Sequence, residues 1–182
     1  MKRDATRQRI LETARRVLVR DGVEQLTLPT VALEAGMSVS GLRYHVSSKR
    51  ELLEVLVEEL LDGFDASLRA ADRSAGGRCR ALISGAFDMV AARDGSGDSA
   101  AVGVLAAVSV DPGLLRGMRE RYANWQRLLD EDDVDPAVVA LVRFAVDGWW
   151  RAAVFGLAPP SAEDSALLRA NLEALVDQAE VR

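Results

Sequence analysis

Four side chains near residue 45 carry the most specific chemistry in the sequence. Arg43 has a guanidinium group whose N–H donors fit the two acceptors on the major-groove edge of guanine. Tyr44, His45 and Lys49 can each donate a hydrogen bond to a phosphate oxygen. The combination predicts base recognition by Arg43 and backbone contacts from its three neighbours.

The residues around Arg43 are small or polar, which lets a helix settle into the major groove of double-stranded DNA. Thr27 and Ser38 are residue types that cap helix N-termini. The predicted DNA-contacting residues are Thr27, Ser38, Val39, Ser40, Gly41, Arg43, Tyr44, His45 and Lys49.

Two short helices joined by a sharp turn are needed to position these side chains. Thr27 suits the N-cap of the first, Gly36 permits the turn, and Ser38 suits the cap of the second, which is predicted to run to about residue 45. Apolar residues at helical spacing predict a preceding helix over about 4–21, ended by Gly22.

Residue types that support catalysis or metal binding are sparse. His45 is the only histidine and Cys79 the only cysteine, and no serine, cysteine or carboxylate near His45 forms a recognisable triad. We predict no catalytic residue, no metal and no cofactor. The single cysteine fits a reduced cytoplasm, and charged residues interrupt the most apolar stretch, so no membrane span is predicted.

Charge is distributed unevenly along the chain. Residues 1–50 carry 10 basic and 5 acidic side chains, a net +5, which leaves 13 basic and 23 acidic side chains, a net −10, for the remainder. A basic head on an acidic body suits a protein that approaches phosphates with one end. Solvated arginine-rich helix faces would give the same split, so the charge supports the motif without replacing it.

The remainder of the chain reads as a series of helices. Apolar residues recur every three or four positions over 49–72, which predicts one long helix that connects head and body, and Ser48 with Glu51 suits a capping box at its start. No stretch alternates like a strand, so the predicted fold is all-α with about nine helices. The further predicted helices span about 78–93, 100–110, 112–130, 136–157 and 162–180.

The last two predicted helices are candidates for a dimer interface. The helix over 136–157 is apolar almost all round and must be covered on more than one side. Pairing of 136–157 and 162–180 with their copies would form a four-helix homodimer interface. The alternative is that both helices contribute only to the core of a monomer.

Aromatic and methionine side chains in the body suit a pocket for a small apolar or cationic molecule. Asp147 lies within the most apolar helix, where a carboxylate is costly unless it is paired. Arg143 and Arg151 are each four positions away, so a structural ion pair and a contact with a cationic ligand both remain open. The candidate ligand-binding residues are Phe64, Met89, Met118, Tyr122, Trp125, Phe144 and Asp147.

The sequence resembles the TetR/AcrR family of bacterial regulators over roughly its first 60 residues. The resemblance is carried by Ala35-Gly36-Met37-Ser38 and by Leu42 with Tyr44 to Lys49; Val46 stands where the family usually has an aromatic residue. It implies a helix-turn-helix DNA-binding domain over 1–48, a ligand-binding and dimerisation domain over 49–182, and a homodimer that reads a palindromic operator.

The carboxy-terminal half is similar to multidrug-binding repressors of the same family, in its segments YANWQ and VRFAVDGWW. That similarity implies a repressor that is released from its operator by a small hydrophobic inducer. Both a cationic and an uncharged inducer fit this implication. Two alternatives stay open: a DNA-binding activator or ligand-independent regulator, and an all-helical enzyme or carrier whose basic head is incidental.

Overall fold

The computed structural model of the chain describes residues 2–91 and 99–179. No strand occurs within these two ranges, so the prediction of an all-α fold is confirmed. The described elements are α1 (Lys2–Gln25), α2 (Leu28–Glu34), α3 (Val39–Arg43), α4 (Lys49–Ala70), α5 (Gly77–Ala91), α6 (Ser99–Val110), a 3₁₀ turn (Pro112–Leu114), α7 (Leu115–Asp130), α8 (Pro136–Phe155) and α9 (Ala162–Gln178).

Glycines set two of the helix boundaries. Gly22 has φ 82° and ψ 175°, so α1 is interrupted there as predicted, although helical structure resumes as far as Gln25. Gly156 takes the left-handed conformation with φ 65° and caps α8, which therefore ends two residues before the predicted 157.

Three other predicted boundaries have different outcomes. The predicted helix over 112–130 is wrong at its start, because Asp111 accepts a hydrogen bond from the N–H of Gly113 at 2.9 Å and a 3₁₀ turn precedes α7. The predicted ends at residues 93 and 180 lie outside the described residues.

The chain divides into two compact units. Unit 1 comprises Met1–Leu60 with Asp98–Met118, and unit 2 comprises Leu61–Gly97 with Arg119–Arg182. The predicted division into a DNA-binding domain over 1–48 and a ligand-binding domain over 49–182 stays a prediction. The compact units differ from it, because unit 1 also contains α6.

The core of unit 1 forms where α1, α2 and α3 pack together and α6 packs along α1. Val46 is buried in this core and fills the place at which the sequence pattern leads one to expect an aromatic ring. The other fully buried large side chains of this unit are Ile10, Leu11, Val17, Leu18, Leu26, Val31, Leu42 and Leu52.

The core of unit 2 lies where α5 packs on α8 and α9. The rings of Phe87 and Trp149 stack with centroids 3.8 Å apart, and the Trp149 indole N–H donates to Ser165 Oγ at 3.2 Å. These contacts join α5, α8 and α9 through one aromatic pair. Within the described residues, no helix combines the length and apolarity that crossing a membrane requires.

A buried carboxylate caps the N-terminus of α5. Asp132 accepts hydrogen bonds from the backbone N–H groups of Arg78 at 3.0 Å and Cys79 at 2.8 Å. Asp132→Ala leaves two donors of the first helical turn without this acceptor, so we expect the free energy of unfolding to fall by about 1–3 kcal/mol in urea titrations. Glu131→Ala is the matched control, because its exposed carboxylate pairs with the Arg78 side chain and caps no helix N–H among the described residues, and a comparable loss there would contradict the capping role.

Candidate nucleic-acid interface and aromatic cluster

The predicted pair of short helices is formed by α2 and α3. Thr27 has an extended backbone and its hydroxyl accepts from the N–H of Thr30 at 3.2 Å, which caps α2. Gly36 has φ 66°, a left-handed conformation that a side chain disfavours, and the chain turns there into α3. Ser38 then caps α3 by accepting from the N–H of Gly41 at 3.0 Å.

The outward side of α3 carries the predicted contact residues. Leu42 is buried and holds α3 on the core, whereas Ser40, Arg43 and Tyr44 are exposed. Because only Leu42 is fully buried within α3, most of this helix is presented at the surface.

Two predicted details of this region need correction. The helix ends at Arg43 rather than at residue 45, since the N–H groups of both His45 and Val46 turn back to the carbonyl of Leu42. His45 is half-buried, as are Val39 and Gly41, and its ring meets the Tyr44 ring edge-on with centroids 5.4 Å apart. Tyr44 is 70% exposed, so of this pair it is the tyrosine that reaches outward.

Lys49 is engaged within unit 1. Its ammonium donates to the backbone carbonyls of Val23 at 2.5 Å and Glu24 at 3.3 Å, at the end of α1. A cation favourably meets the carbonyls at a helix C-terminus. Lys49 therefore fixes the start of α4 against the end of α1, a role that the sequence pattern did not reveal.

The capping box predicted at the start of α4 forms only by half. Ser48 Oγ accepts from the N–H of Glu51 at 3.1 Å, as expected. The Glu51 carboxylate instead accepts from the N–H of Ser47 at 2.7 Å and from its hydroxyl at 2.5 Å. These bonds hold the pKa of Glu51 below its usual range, so the carboxylate stays charged and keeps the turn closed.

Aromatic residues from α4 and α7 gather in unit 2. The Phe64 ring lies 5.4 Å from that of Trp125, and Trp125 lies 4.7 Å from Tyr122, centroid to centroid. Met89 of α5 approaches α4 closely, because a Cβ at Gly63 would lie 2.7 Å from its terminal methyl carbon. The structure thus brings together three of the seven predicted ligand-binding residues, and a fourth, Met89, lies against Gly63, the neighbour of Phe64 in the chain.

Among the described residues, no ring contact of this cluster involves two other predicted ligand-binding residues, Met118 and Phe144. Met118 precedes Tyr122 by four residues on α7 and is the last residue of unit 1. Phe144 is 66% exposed on α8 and contacts the guanidinium of Arg143 at 5.4 Å from its ring centroid. The spacing of apolar residues in the sequence of α8 could not distinguish its inward face from its outward face, because the helix carries apolar residues on every face.

Asp147 is a half-buried carboxylate with little compensation. Its ion pair with Arg151 is long, at 3.7 Å. The other predicted partner, Arg143, donates to the side-chain oxygen of Gln126 and lies over the Tyr122 ring at 5.9 Å. Burial raises the pKa of Asp147 above its ordinary value, although the two arginines act to lower it. The pKa of Tyr122 is raised to about 12, mainly by burial and then by the negative charge of Asp147.

This raised pKa predicts a pH-dependent stability. Between the ordinary pKa of an aspartate and the raised value, the folded state binds more protons than the unfolded state, so the free energy of unfolding falls as pH rises through that window. Asp147→Asn removes the charge, and we expect it to leave the protein as stable or more stable at neutral pH and to abolish this contribution. Urea titrations at several pH values would measure it; a less stable variant at neutral pH would show that the ion pair with Arg151 outweighs burial.

A buried carboxylate that the sequence reasoning missed lies beside the aromatic cluster. Asp65 of α4 accepts hydrogen bonds from the indole N–H of Trp125, from the guanidinium of Arg121 and, at 3.1 Å, from Arg69. A signal existed, since Asp65 lies on the apolar stripe of its helix, as Asp147 does. This network joins α4 to α7.

The Cys79 thiol and the possible metal-holding groups were the remaining candidate sites in the described part of the chain. The Cys79 thiol is buried, and burial with the nearby Asp132 raises its pKa to about 12, so it stays protonated at neutral pH. Residues 2–91 and 99–179 contain no group of three or more histidine, cysteine or acidic side chains arranged to hold a metal ion.

Two family models match the chain over the regions just described. Residues 10–56 match the model described as bacterial regulatory proteins, tetR family, and residues 76–177 match the tetracyclin repressor-like C-terminal domain. The chain belongs to the tetR family. The suspected resemblance is thereby confirmed, and the match over residues 10–56 contains the whole of α2, the turn and α3.

Similarity to individual tetR-family proteins is more limited. A segment of 69 residues is 38% identical to the HTH-type nicotine-responsive transcriptional repressor HdnoR of Paenarthrobacter nicotinovorans, and it covers 37% of this chain and 36% of that protein. The chain thus matches about a third of the length of this curated relative.

Solved tetR-like structures share the fold over nearly the whole chain. The multidrug binding protein EbrR, solved with imidazole, has a TM-score of 0.67 and 23% identity, with 93% of this chain and 88% of that chain covered. A putative transcriptional regulator from Saccharomonospora viridis, solved in complex with choline, has a TM-score of 0.66 and 21% identity, with 97% and 99% covered. At these identities the likeness establishes the fold.

Proposed function

We propose that this tetR-family chain is a homodimeric transcriptional repressor that binds a palindromic operator and is released from it by a small hydrophobic cation. The observation that carries the proposal is the α2–turn–α3 arrangement, whose outward side exposes Ser40, Arg43 and Tyr44 on a helix anchored by the buried Leu42. In this role Arg43 reads a guanine, and Tyr44 and His45 contact phosphates.

The dimer would form through α8 and α9. Large apolar side chains on these helices and the loop between them are exposed in the single chain, as expected for a surface that is covered in an oligomer. They are Leu141, Phe144, Phe155, Leu157, Leu167 and Leu175. Two copies of α3 about 34 Å apart would then meet successive major grooves on one side of the DNA.

The ligand would bind at the aromatic cluster of unit 2. Phe64, Tyr122 and Trp125 supply ring faces that attract cations, and Asp147 supplies a carboxylate that burial leaves poorly compensated. The names of related proteins agree with this chemistry: HdnoR is nicotine-responsive, EbrR is a multidrug binding protein, and the Saccharomonospora viridis regulator was solved with choline.

The long helix α4 would transmit the signal. In unit 1, Glu59 pairs with Arg15 of α1, and Lys49 holds the end of α1. In unit 2, the same helix contributes Phe64 to the aromatic cluster and Asp65 to the network with α7. A ligand that favours one arrangement of α7 against α4 would thereby change the population of DNA-competent dimers.

Retention of genomic fragments on the purified protein, measured at several salt concentrations, tests the proposal. We expect one or a few palindromic fragments to be retained, with an affinity that falls steeply with salt. A panel of hydrophobic cations is then added, with uncharged analogues of similar size as controls, and the cations are expected to release the fragment. Sedimentation velocity of the free protein is expected to give a dimer.

The outcomes separate the proposal from its alternatives. No specific fragment at modest salt would overturn the DNA-binding function. A fragment whose retention ignores every compound would leave a ligand-independent regulator, and retention strengthened by a cation would indicate ligand-dependent binding of the opposite sense.

A further inference from the structure

Four aromatic rings from three helices of unit 2 contact one another in series, and Asp147 lies on the same face of α8 as the last of them. The ring of Phe64 in α4 lies 6.1 Å from that of Trp150 in α8 and 5.4 Å from that of Trp125 in α7. Trp125 leads to Tyr122 at 4.7 Å, and Tyr122 is electrostatically coupled to Asp147. Asp147 and Trp150 are three residues apart and so share one face of α8.

Trp150, the last ring of this series, has a buried hydrogen-bond donor without an acceptor among the described residues. Its side chain is only 7% exposed, and its indole Nε1 finds no acceptor among the described residues. The other two tryptophans differ, because Trp125 donates to Asp65 and Trp149 donates to Ser165. A buried donor without an acceptor is costly and needs an explanation.

Asp147 has an unused capacity of the complementary kind. Its side chain is 19% exposed, and its ion pair at 3.7 Å is with Arg151, whose side chain is 56% exposed. The other nearby arginine, Arg143, does not form a close ion pair with Asp147, because its guanidinium donates to Gln126. Arg143 lies over the Tyr122 ring and acts on this carboxylate only from a distance, so among the described residues the long pair with Arg151 is the one ion pair of Asp147.

We propose that Asp147 and Trp150 bind the two ends of one ligand, an organic amine whose protonated nitrogen pairs with Asp147 and whose second heteroatom accepts the N–H of Trp150. The aromatic rings of Phe64, Tyr122 and Trp125 cover the apolar part between these ends. Side chains three apart on a helix have Cβ atoms about 5–6 Å apart, so a single small molecule can reach both. The inference rests on the proposed function, since it specifies the class of inducer.

Three probes of nearly equal size separate the two contacts. At pH 7.5, 3-(aminomethyl)pyridine carries both a cation and a ring acceptor, benzylamine carries only the cation, and 3-ethylpyridine carries only the acceptor. Isothermal titration calorimetry on the full chain, without DNA, is expected to show 3-(aminomethyl)pyridine binding about tenfold tighter than either of the others. Equal affinities of 3-(aminomethyl)pyridine and benzylamine would overturn the role of Trp150 without any variant.

Two variants assign the contacts. Trp150→Phe keeps an aromatic ring and removes the donor, so it is expected to abolish the preference over benzylamine. Asp147→Asn is expected to abolish the preference over 3-ethylpyridine. Trp149→Phe is the matched control, because that indole N–H is already bonded to Ser165, and all preferences are expected to survive in it.

The two-ended ligand contact and the proposed repressor function can be disproved independently. If the preference over benzylamine survives in Trp150→Phe, or that over 3-ethylpyridine survives in Asp147→Asn, the two-ended contact is wrong, while fragment retention and release by other cations would still support the repressor. If no DNA fragment is retained, the repressor is wrong whatever the calorimetry shows. Thermal unfolding of each variant confirms that a lost preference does not reflect an unfolded protein.

Discussion

Asp65→Ala is expected to lower the free energy of unfolding by about 3–5 kcal/mol, the range for removing one partner of a buried charged network. The carboxylate is buried on α4 and accepts from the Trp125 indole and the Arg121 guanidinium on α7. Alanine leaves the indole N–H without an acceptor and removes the buried partner of the guanidinium. Urea unfolding followed by tryptophan fluorescence measures the loss.

A neighbouring carboxylate provides the control. Asp62 pairs with the same guanidinium of Arg121 at 2.7 Å, but its side chain is exposed to solvent. We expect Asp62→Ala to cost about 0–1 kcal/mol, since exposed ion pairs contribute little. Asp65→Asn should fall between the two, because an amide oxygen can still accept from Trp125. Equal losses for Asp62→Ala and Asp65→Ala would show that burial of the network does not matter.

Arg43→Ala is expected to weaken operator binding by about 5- to 150-fold, which corresponds to the 1–3 kcal/mol of a bidentate contact with guanine. Arg43 is exposed at the end of α3, so its loss should leave the free energy of unfolding almost unchanged. Fluorescence anisotropy with a labelled operator and with an unrelated duplex of equal length measures the affinity and the specificity.

Two further variants identify what Arg43 contacts. Arg43→Lys keeps the charge but cannot form the bidentate contact, so most of the specificity should still be lost. Arg73→Ala removes an exposed arginine from the loop between α4 and α5 and should leave operator affinity unchanged. If Arg43→Ala weakened both duplexes to the same extent, Arg43 would be a phosphate contact rather than a base reader.

The sequence was most informative where structure depends on neighbouring residues. Thr27, Gly36 and Ser38 each act within four residues of their own position, so caps and the turn could be predicted together with α2 and α3. The same local logic placed most helix boundaries of the body. The roles of Lys49 and Asp65 escaped prediction because their partners lie 26 and 60 residues away in the chain.

Two other features were hidden by the pattern itself. The sequence of α6, SAAVGVLAAVSV, contains no charged residue, so it has no polar face to indicate that it packs along α1. Phe144 lies on a helix that is apolar all round, and only the structure shows that it faces outward. In both cases periodicity was uninformative because polar residues were too few to mark a surface.

The packing of α6 along α1 also limits how this protein can be recombined with its relatives. A chimera that exchanged residues 1–48 would place a foreign α1 against the native α6, and the native Lys49 would meet foreign residues at positions 23 and 24. Arg50 and Asp111 pair at 3.5 Å. An exchange that includes the start of α4 would therefore keep both members of this pair from one protein only if the segment with the 3₁₀ turn were exchanged as well. The compact unit that contains α2 and α3 is discontinuous, Met1–Leu60 together with Asp98–Met118, so a hybrid regulator that exchanged this unit whole would need three crossovers rather than one.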